Sequence, residues 1–369
     1  MVERQGQFTM ANKMDGQVRN PDWKILVAAV LITACAIIVL FELFSSQALI
    51  YRYRHEGVLN DGKISSLVLL RKAASKLGWI TEPDRFDLEC VPSPCLKKDP
   101  IFGWSVIPGE FTLTFKRRTR DLGWESLPVK VTINPDQSRW TGMPAQSQKP
   151  TIYIFGDSFV IGSGVNDEQT FAYHLQMAKP QYNVKLFAGG GYSLVHSYLR
   201  MEQLKSQISE RDIVIIGYAD FYDVRNVAAP SRLRDIEHWY QMRLQQVDAS
   251  KIPKASIGDN NKLSISLVTQ DCQIARSYCG SNDPPLSEMR AVSLRLIHEI
   301  AEASRAKTYL LHFDGSKDNP VPQNCGIEVI SALQEDFGYF IRDDIVGFDP
   351  HPGPYWHYAI ARKLISRIN

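Results

Sequence analysis

Apolar positions along the chain fall into two regimes. From residue 149 onward, short uninterrupted apolar runs alternate with stretches of helical spacing. Thr151–Phe155, Val184–Phe187, Asp212–Gly217 and Thr308–Phe313 read as strands. Thr170–Ala178, Leu194–Gln207, Leu286–Ser304, Gly326–Asp336 and His357–Ile368 read as helices, and Tyr339–Ile341 as a last extended piece. Strands that are apolar on both faces and separated by helices predict an α/β three-layer sandwich around a mainly parallel sheet. Residues 226–285 interrupt the rhythm with a candidate helix, Ser231–Gln246, and a hairpin signal at Asp259-Asn260-Asn261. They are expected to form an insertion over one edge of the site, where a long insertion shapes substrate choice.

Before residue 149 the pattern changes. FTLTF and VKVTIN, set among Gly and Pro within residues 99–142, read as strands and turns of a small β-rich region. Gly62–Leu77 places Ile64, Leu67, Leu70 and Ala74 on one helical face. Further back, Ile25–Phe44 is a 20-residue apolar run with one ionisable side chain, Glu42. As a helix it would be about 30 Å long, the thickness of a bilayer core. A cleaved secretory signal is the alternative, but the run is long and no small-x-small cleavage site follows. The expected organisation is a cytoplasmic tail (1–24), a single-pass membrane anchor (25–44), a juxtamembrane helix with the β-rich region (48–148), and an α/β domain (149–369). Arg4, Lys13, Arg19 and Lys24 before the anchor, against Arg52, Arg54 and Lys63 after it, favour an inside N-terminus by a small margin.

The 369 residues are 44% hydrophobic with a net charge of +2, which leaves no basic footprint for nucleic acid. Of six cysteines, Cys90 and Cys95 flank VPSP, and Cys272 and Cys279 flank QIARSY. Two close pairs in turn-like sequence suit short disulfide loops and hence an oxidising, extracytoplasmic (periplasmic) compartment. A zinc site is the rival reading, poorly matched by these spacings. Cys325 is left as a small buried hydrophobe.

Candidate chemistry lies at strand ends, where open parallel sheets bind ligands. Gly156-Asp157-Ser158 follows the first strand, Gly189-Gly190-Gly191 the second, and Gly217 the third. A Gly-Asp-Ser turn alone is explained by turn and cap chemistry. Here Asp349-Pro350-His351-Pro352-Gly353 precedes the last helix, and a neutral imidazole with a carboxylate nearby is the usual base for a serine hydroxyl. The triple glycine supplies backbone N–H groups that can approach an oxyanion. His357 reads as a helix-face residue, and His174 and His196 as structural. Asp157 is expected to serve the turn. Trp104, Trp124 and Trp140 have the chemistry to stack on sugars, though aromatics of small β elements usually pack. No phosphate loop or metal-ligand cluster stands out, so neither a cofactor nor a metal is expected.

With GDSF at 156–159, GGYS at 190–193 and DPHPG at 349–353, residues 150–369 resemble an SGNH (GDSL-type) hydrolase apart from the insertion. The resemblance implies a flavodoxin-like sandwich with Ser158 as nucleophile and His351 and Asp349 as base and orienter. It implies an oxyanion hole from the N–H groups of Ser158 and Gly191, with Gly190 the near alternative. The third motif departs from the family, whose Gly-x-Asn-Asp supplies an amide donor: GYADFYDVRN offers Asp220, Tyr222 or Asn226 instead. Membrane-tethered members often act on acylated polysaccharides, so the resemblance implies an esterase for an O-acyl, foremost O-acetyl, group of a glycan. A lipid ester, transfer of the acyl group to a glycan, and a non-catalytic binding role are its alternatives. Oligomeric state is left open.

Overall fold

A computed structural model describes residues 27–37, 40, 85–119, 123–243, 251–258, 260–269, 272, 275–333, 344–345 and 349–368. Helix α1 (27–37) is exposed along its length. Most of the remainder of the predicted anchor, the helix expected at 62–77 and the extended piece at 339–341 lie outside the described residues. Among the described residues no helix is long and apolar enough to cross a membrane.

The β-rich region begins with β1 (Arg85–Val91), β2 (Leu96–Asp99), β3 (Gly103–Val106), β4 (Gly109–Thr119) and β5 (Gly123–Ile133). β4 pairs with β5 and with β1 in an antiparallel sheet, and β2–β3 forms a separate hairpin. Phe111, Phe115, Val129, Val131 and Ile133 share one hydrophobic cluster with the central strands, so this region is an extension of the main core. Arg139 stitches the two together. Its N–H donates to Leu186 O at 2.8 Å, and its buried guanidinium pairs with Asp167 at 3.0 Å.

The central sheet contains β6 (Thr151–Gly156), β7 (Asn183–Ala188), β8 (Ile213–Ala219), β11 (Lys307–Asp314) and β12 (Glu328–Ser331) in the order β12-β11-β8-β6-β7. Every neighbouring pair is parallel. All six residues of β6 and all seven of β8 are buried, as continuous apolar strands require between two helical layers. The chain leaves β6 to one side for β7, then crosses back for β8, β11 and β12. The switch point, where a crevice opens above the carboxyl ends, is therefore β6 itself.

The helices are α2 (Ser158–Ile161), α3 (Phe171–Ala178), α4 (Leu194–Leu204), α5 (Tyr222–Asn226), α6 (Pro230–Arg243), α7 (Arg276–Cys279), α8 (Leu286–Ser304), α9 (Pro320–Asn324) and α10 (Pro354–Arg367). They pack in two groups, α3 with α10 and α4, α5 with α8, as right-handed crossovers demand for the two faces. The predicted insertion holds α6 and the hairpin of β9 (Lys251–Ile257) and β10 (Leu263–Thr269). Disulfides join Cys90 to Cys95 and Cys272 to Cys279, and Cys325 is buried and free. The helix expected at 326–336 is corrected: Glu328–Ser331 forms β12, in register with Tyr309–His312 of β11. Val329 and Ile330 are β-branched, and pairing with an open sheet edge outweighs their helical spacing.

Candidate active site

β6 ends at Gly156, and the chain turns at once. Asp157 caps α2, its carboxylate accepting from Phe159 N–H at 2.9 Å, and Ser158 is the first helical residue. A Cβ on Gly156 would lie 2.3 Å from Val160 Cγ2, and one on Gly217 of β8 2.4 Å from the same atom. Both glycines are therefore needed for Val160 to drop between the two adjacent strands and lift Ser158 to the sheet's carboxyl edge. Ser158 is 9% exposed, nearly sealed in this arrangement.

The C-terminal motif reaches the same place. β14 (Asp349–Pro352) pairs with β13 (Asp344–Ile345) and packs against α2. The half-buried His351 ring stacks at a tilt on Phe159, centroids 4.9 Å apart. His351 is thus brought against the residue that follows Ser158. The Asp349 backbone lies two positions before it in the same strand, while the Asp349 side chain lies outside the described residues.

The triple glycine supplies the third part. Gly191 has φ +77, a left-handed conformation that favours glycine, and a Cβ there would lie 3.1 Å from both Arg232 Nη2 and Trp104 Cζ2. Gly190 has open space at the same test. Two outside elements hold this loop. Trp104 Nε1–H, from β3, donates to Gly190 O at 2.9 Å, and Tyr192 O–H returns a bond to Trp104 O at 2.6 Å. From α6, Arg232 Nη2–H donates to Gly191 O at 3.1 Å. Trp104 is therefore buried as a clamp and presents no face for a sugar. Trp140 packs on Tyr173, and the Trp124 side chain lies outside the described residues.

The departing third motif is taken up by a partly buried polar network. Asp220 accepts from Asn319 Nδ2 at 2.6 Å and Ser316 N–H at 3.0 Å, with His312 Nε2 at 3.3 Å. Burial pushes its carboxyl up, but bonds from His312, Ser316 and Asn319 outweigh this and hold it below the usual range. Asn226 donates to Ser293 Oγ at 2.9 Å and accepts from Val195 N–H at 3.3 Å, so both ends of its amide are occupied. Tyr222 is fully buried beside Asp157, its hydroxyl without a partner of hydrogen-bond geometry among the described residues. Burial, and then the charge of Asp157, raises that phenol well above its ordinary value. Of the three residues considered for the missing donor, two are engaged elsewhere: Asp220 ties the end of β8 to β11 and the segment before α9, and Asn226 ties α5 to α8 and α4.

Sequence reasoning missed the arginines. Arg225 Nη1 bonds Asp157 Oδ2 at 3.0 Å and Tyr192 O at 3.1 Å, tying the Ser158 turn to the glycine loop. Its partner Asp157 is fully buried, in keeping with a turn and network role for that carboxylate. Nothing in YDVRN distinguishes an arginine aimed inward from one in water. The three histidines read as helix-face or structural residues, His174, His196 and His357, each pack against aromatic rings. His196 stacks on Tyr192 at 4.3 Å, and burial followed by the Arg232 charge pushes it down to about 3. Burial likewise pushes His357 down to about 3, against Phe171. His174 sits edge-on to Tyr358 and is lowered by burial. Among the described residues no group of three His, Cys, Asp or Glu side chains is placed to hold a metal ion.

The chain matches no protein-family model and no curated protein. Three solved structures align with part of it. TesA aligns at 13% identity over 59% of this chain and 98% of its own, with a TM-score of 0.35. A putative lipolytic protein of the G-D-S-L family from Desulfitobacterium hafniense aligns at 11% identity over 59% and 99%, TM-score 0.33. A catalytic mutant of Axe2, an acetylxylan esterase from Geobacillus stearothermophilus, aligns at 11% over 60% and 94%, TM-score 0.34.

Proposed function

We propose that the protein is a serine esterase that removes an O-acyl group, foremost acetyl, from a glycan outside the cytoplasm. The observation that carries this is the convergence on one strand end: Ser158 opens α2 at the switch point, and β14 sets His351 against the adjoining Phe159. Gly191, in the left-handed conformation its loop requires, lies in the turn after the neighbouring strand.

In the proposed reaction His351 takes the Ser158 Oγ proton as Oγ bonds the ester carbon, and Asp349 stabilises the imidazolium. The N–H groups of Ser158 and Gly191 hold the oxyanion. Collapse breaks the bond to the glycan oxygen, which leaves with the proton from His351. Water, deprotonated by the same imidazole, attacks the acyl-enzyme and releases the acid and free Ser158. With Asp220 and Asn226 engaged elsewhere, the backbone donors are the core of the hole, and the Tyr222 hydroxyl, unpartnered among the described residues, is the side-chain candidate left to add to them. The two disulfides support an oxidising location, and residues 25–44 are proposed to anchor the domain there.

Full-length protein in detergent is expected to hydrolyse p-nitrophenyl acetate and to be labelled by a fluorophosphonate at Ser158. Ser158→Ala should lower kcat/KM by about 10³-fold or more. Equal rates for the two proteins would refute the mechanism. Labelling without hydrolysis, together with acetyl transfer to an added glycan, would make the enzyme a transferase instead. Cleavage of the domain by a protease confined to the cytoplasmic side would overturn the proposed location.

A further inference from the structure

Two guanidinium groups stand at the site, and they are not equivalent. Arg225 is neutralised by Asp157 at 3.0 Å. Arg232 has a single hydrogen bond, to Gly191 O at 3.1 Å, and among the described residues no carboxylate within ion-pair distance. It is half-buried, and none of its N–H groups is sealed away without a partner, so the remaining donors are open to an incoming molecule. His196 beside it is held neutral and contributes no charge.

A half-buried cation without a counter-charge is costly, and such groups are ordinarily paired. Burial, and then the neighbouring Arg225, pushes the Arg232 guanidinium down to about 9, with Asp235 and Asp157 opposing. It stays protonated at neutral pH, with its charge incompletely balanced. Its position explains what would balance it. The bonded carbonyl belongs to Gly191, whose N–H is the proposed oxyanion donor, so the guanidinium stands one hydrogen bond from that residue and on the order of 6–9 Å from the reacting ester. Arg232 also comes from the insertion, the part of the chain that the repeating strand–helix pattern does not require. The planar fork of arginine matches a carboxylate with two parallel hydrogen bonds.

We infer that Arg232 is the receptor for a carboxylate carried by the substrate next to its ester, so that the acylated glycan is an acidic polysaccharide. The inference rests on the esterase reading and narrows its substrate class. It assigns Arg232 to selectivity and leaves the bond-breaking steps to Ser158 and His351.

Acetate release from O-acetylated polygalacturonate, an acidic chain, and from O-acetylated xylan, a neutral one, tests this with the full-length protein. The wild type is expected to prefer the acidic chain about tenfold or more in kcat/KM, with the preference shrinking as salt rises. Arg232→Gln should abolish most of that ratio, chiefly through KM, and Arg232→Lys should restore part of it. A ratio near one in the wild type, or equal losses on both polymers in Arg232→Gln, would overturn the inference. Faster release of fatty acid from phosphatidylglycerol vesicles than of acetate from either polymer would overturn it too. The Ser158→Ala protein separates this question from the esterase reading. It should bind de-acetylated polygalacturonate in a salt-sensitive manner that the double variant with Arg232→Gln loses, whether or not the wild type hydrolyses any ester. Absence of that binding counts against Arg232, whereas absence of fluorophosphonate labelling in the wild type counts against the esterase.

Discussion

The segments leaving β6 and β8 start from adjacent strands at the same edge of the sheet and carry similar residues, yet they meet opposite fates. After β6, Asp157 and Ser158 are set by a cap and a glycine-gated turn that leaves the serine at the crevice. After β8, Asp220, Tyr222, Asp223 and Asn226 turn away into hydrogen bonds with Ser293, Ser316 and Asn319 or into full burial. The difference lies in what packs behind each segment. α2 is followed by an abrupt left-handed turn at Gly162, whereas α5 lies along α8, whose Ser293 offers a buried hydroxyl to Asp223 and Asn226. A polar side chain next to an unfilled buried partner joins it, because leaving either unpaired would cost about 1–3 kcal/mol. Arg225 reaches from the second segment back to the first with an ion pair, and Phe221 packs on Phe159 beside it.

That link is the sharpest place to break the comparison. Arg225→Gln would leave the buried Asp157 without a counter-charge, and a loss of about 3–5 kcal/mol in urea-unfolding stability is expected. Arg225→Lys should recover part of it. An Arg225→Gln protein as stable as the wild type would show the two segments to be independent. Acid should act next. His196 and His357 sit near 3 in the folded chain against 6.5 unfolded, so between those limits the unfolded chain binds more protons. Stability therefore falls as pH drops through that window, by about 2–3 kcal/mol for the pair at pH 5.5. A melting temperature that holds or rises from pH 7 to 5.5 would contradict their burial.

Asn226→Ala distinguishes the two fates directly. The network role predicts about 1–3 kcal/mol of lost stability. It predicts none of the hundredfold or larger fall in kcat/KM that removal of an oxyanion donor brings, and such a fall in folded protein would return Asn226 to the site. The smallest effect is expected for Trp104→Phe, which removes one bond to Gly190 O and should cost about 0.5–1.5 kcal/mol. Because the glycine loop is what that bond holds, kcat should fall with it. An unchanged kcat in a destabilised protein would confine the β-rich region to a structural role.

Much of the fold was legible because its signals are local. Thr151–Phe155, Asp212–Gly217 and Leu286–Ser304 declare themselves by apolar runs or helical spacing, and each stands within two residues of its expected bounds. Glu328–Ser331 did not, since a short apolar run is compatible with helix and strand alike until a neighbouring strand offers hydrogen bonds. Ser158 and Gly191 stood out as candidates by their place at strand ends, and His351 by the DPHPG stretch before the last helix. Residue type and order along the chain determined the alternation of strands and helices, the cysteine pairs, and the candidate nucleophile and base. Tertiary structure alone decided that Asp220 and Asn226 are engaged elsewhere, that Trp104 clamps a loop, and that Arg225 and Arg232 face inward. The physical reason is distance along the chain. A turn or an amphipathic face is written in a few consecutive residues, whereas the neutralisation of a charge depends on groups tens of residues away that only folding brings within about 3 or 4 Å.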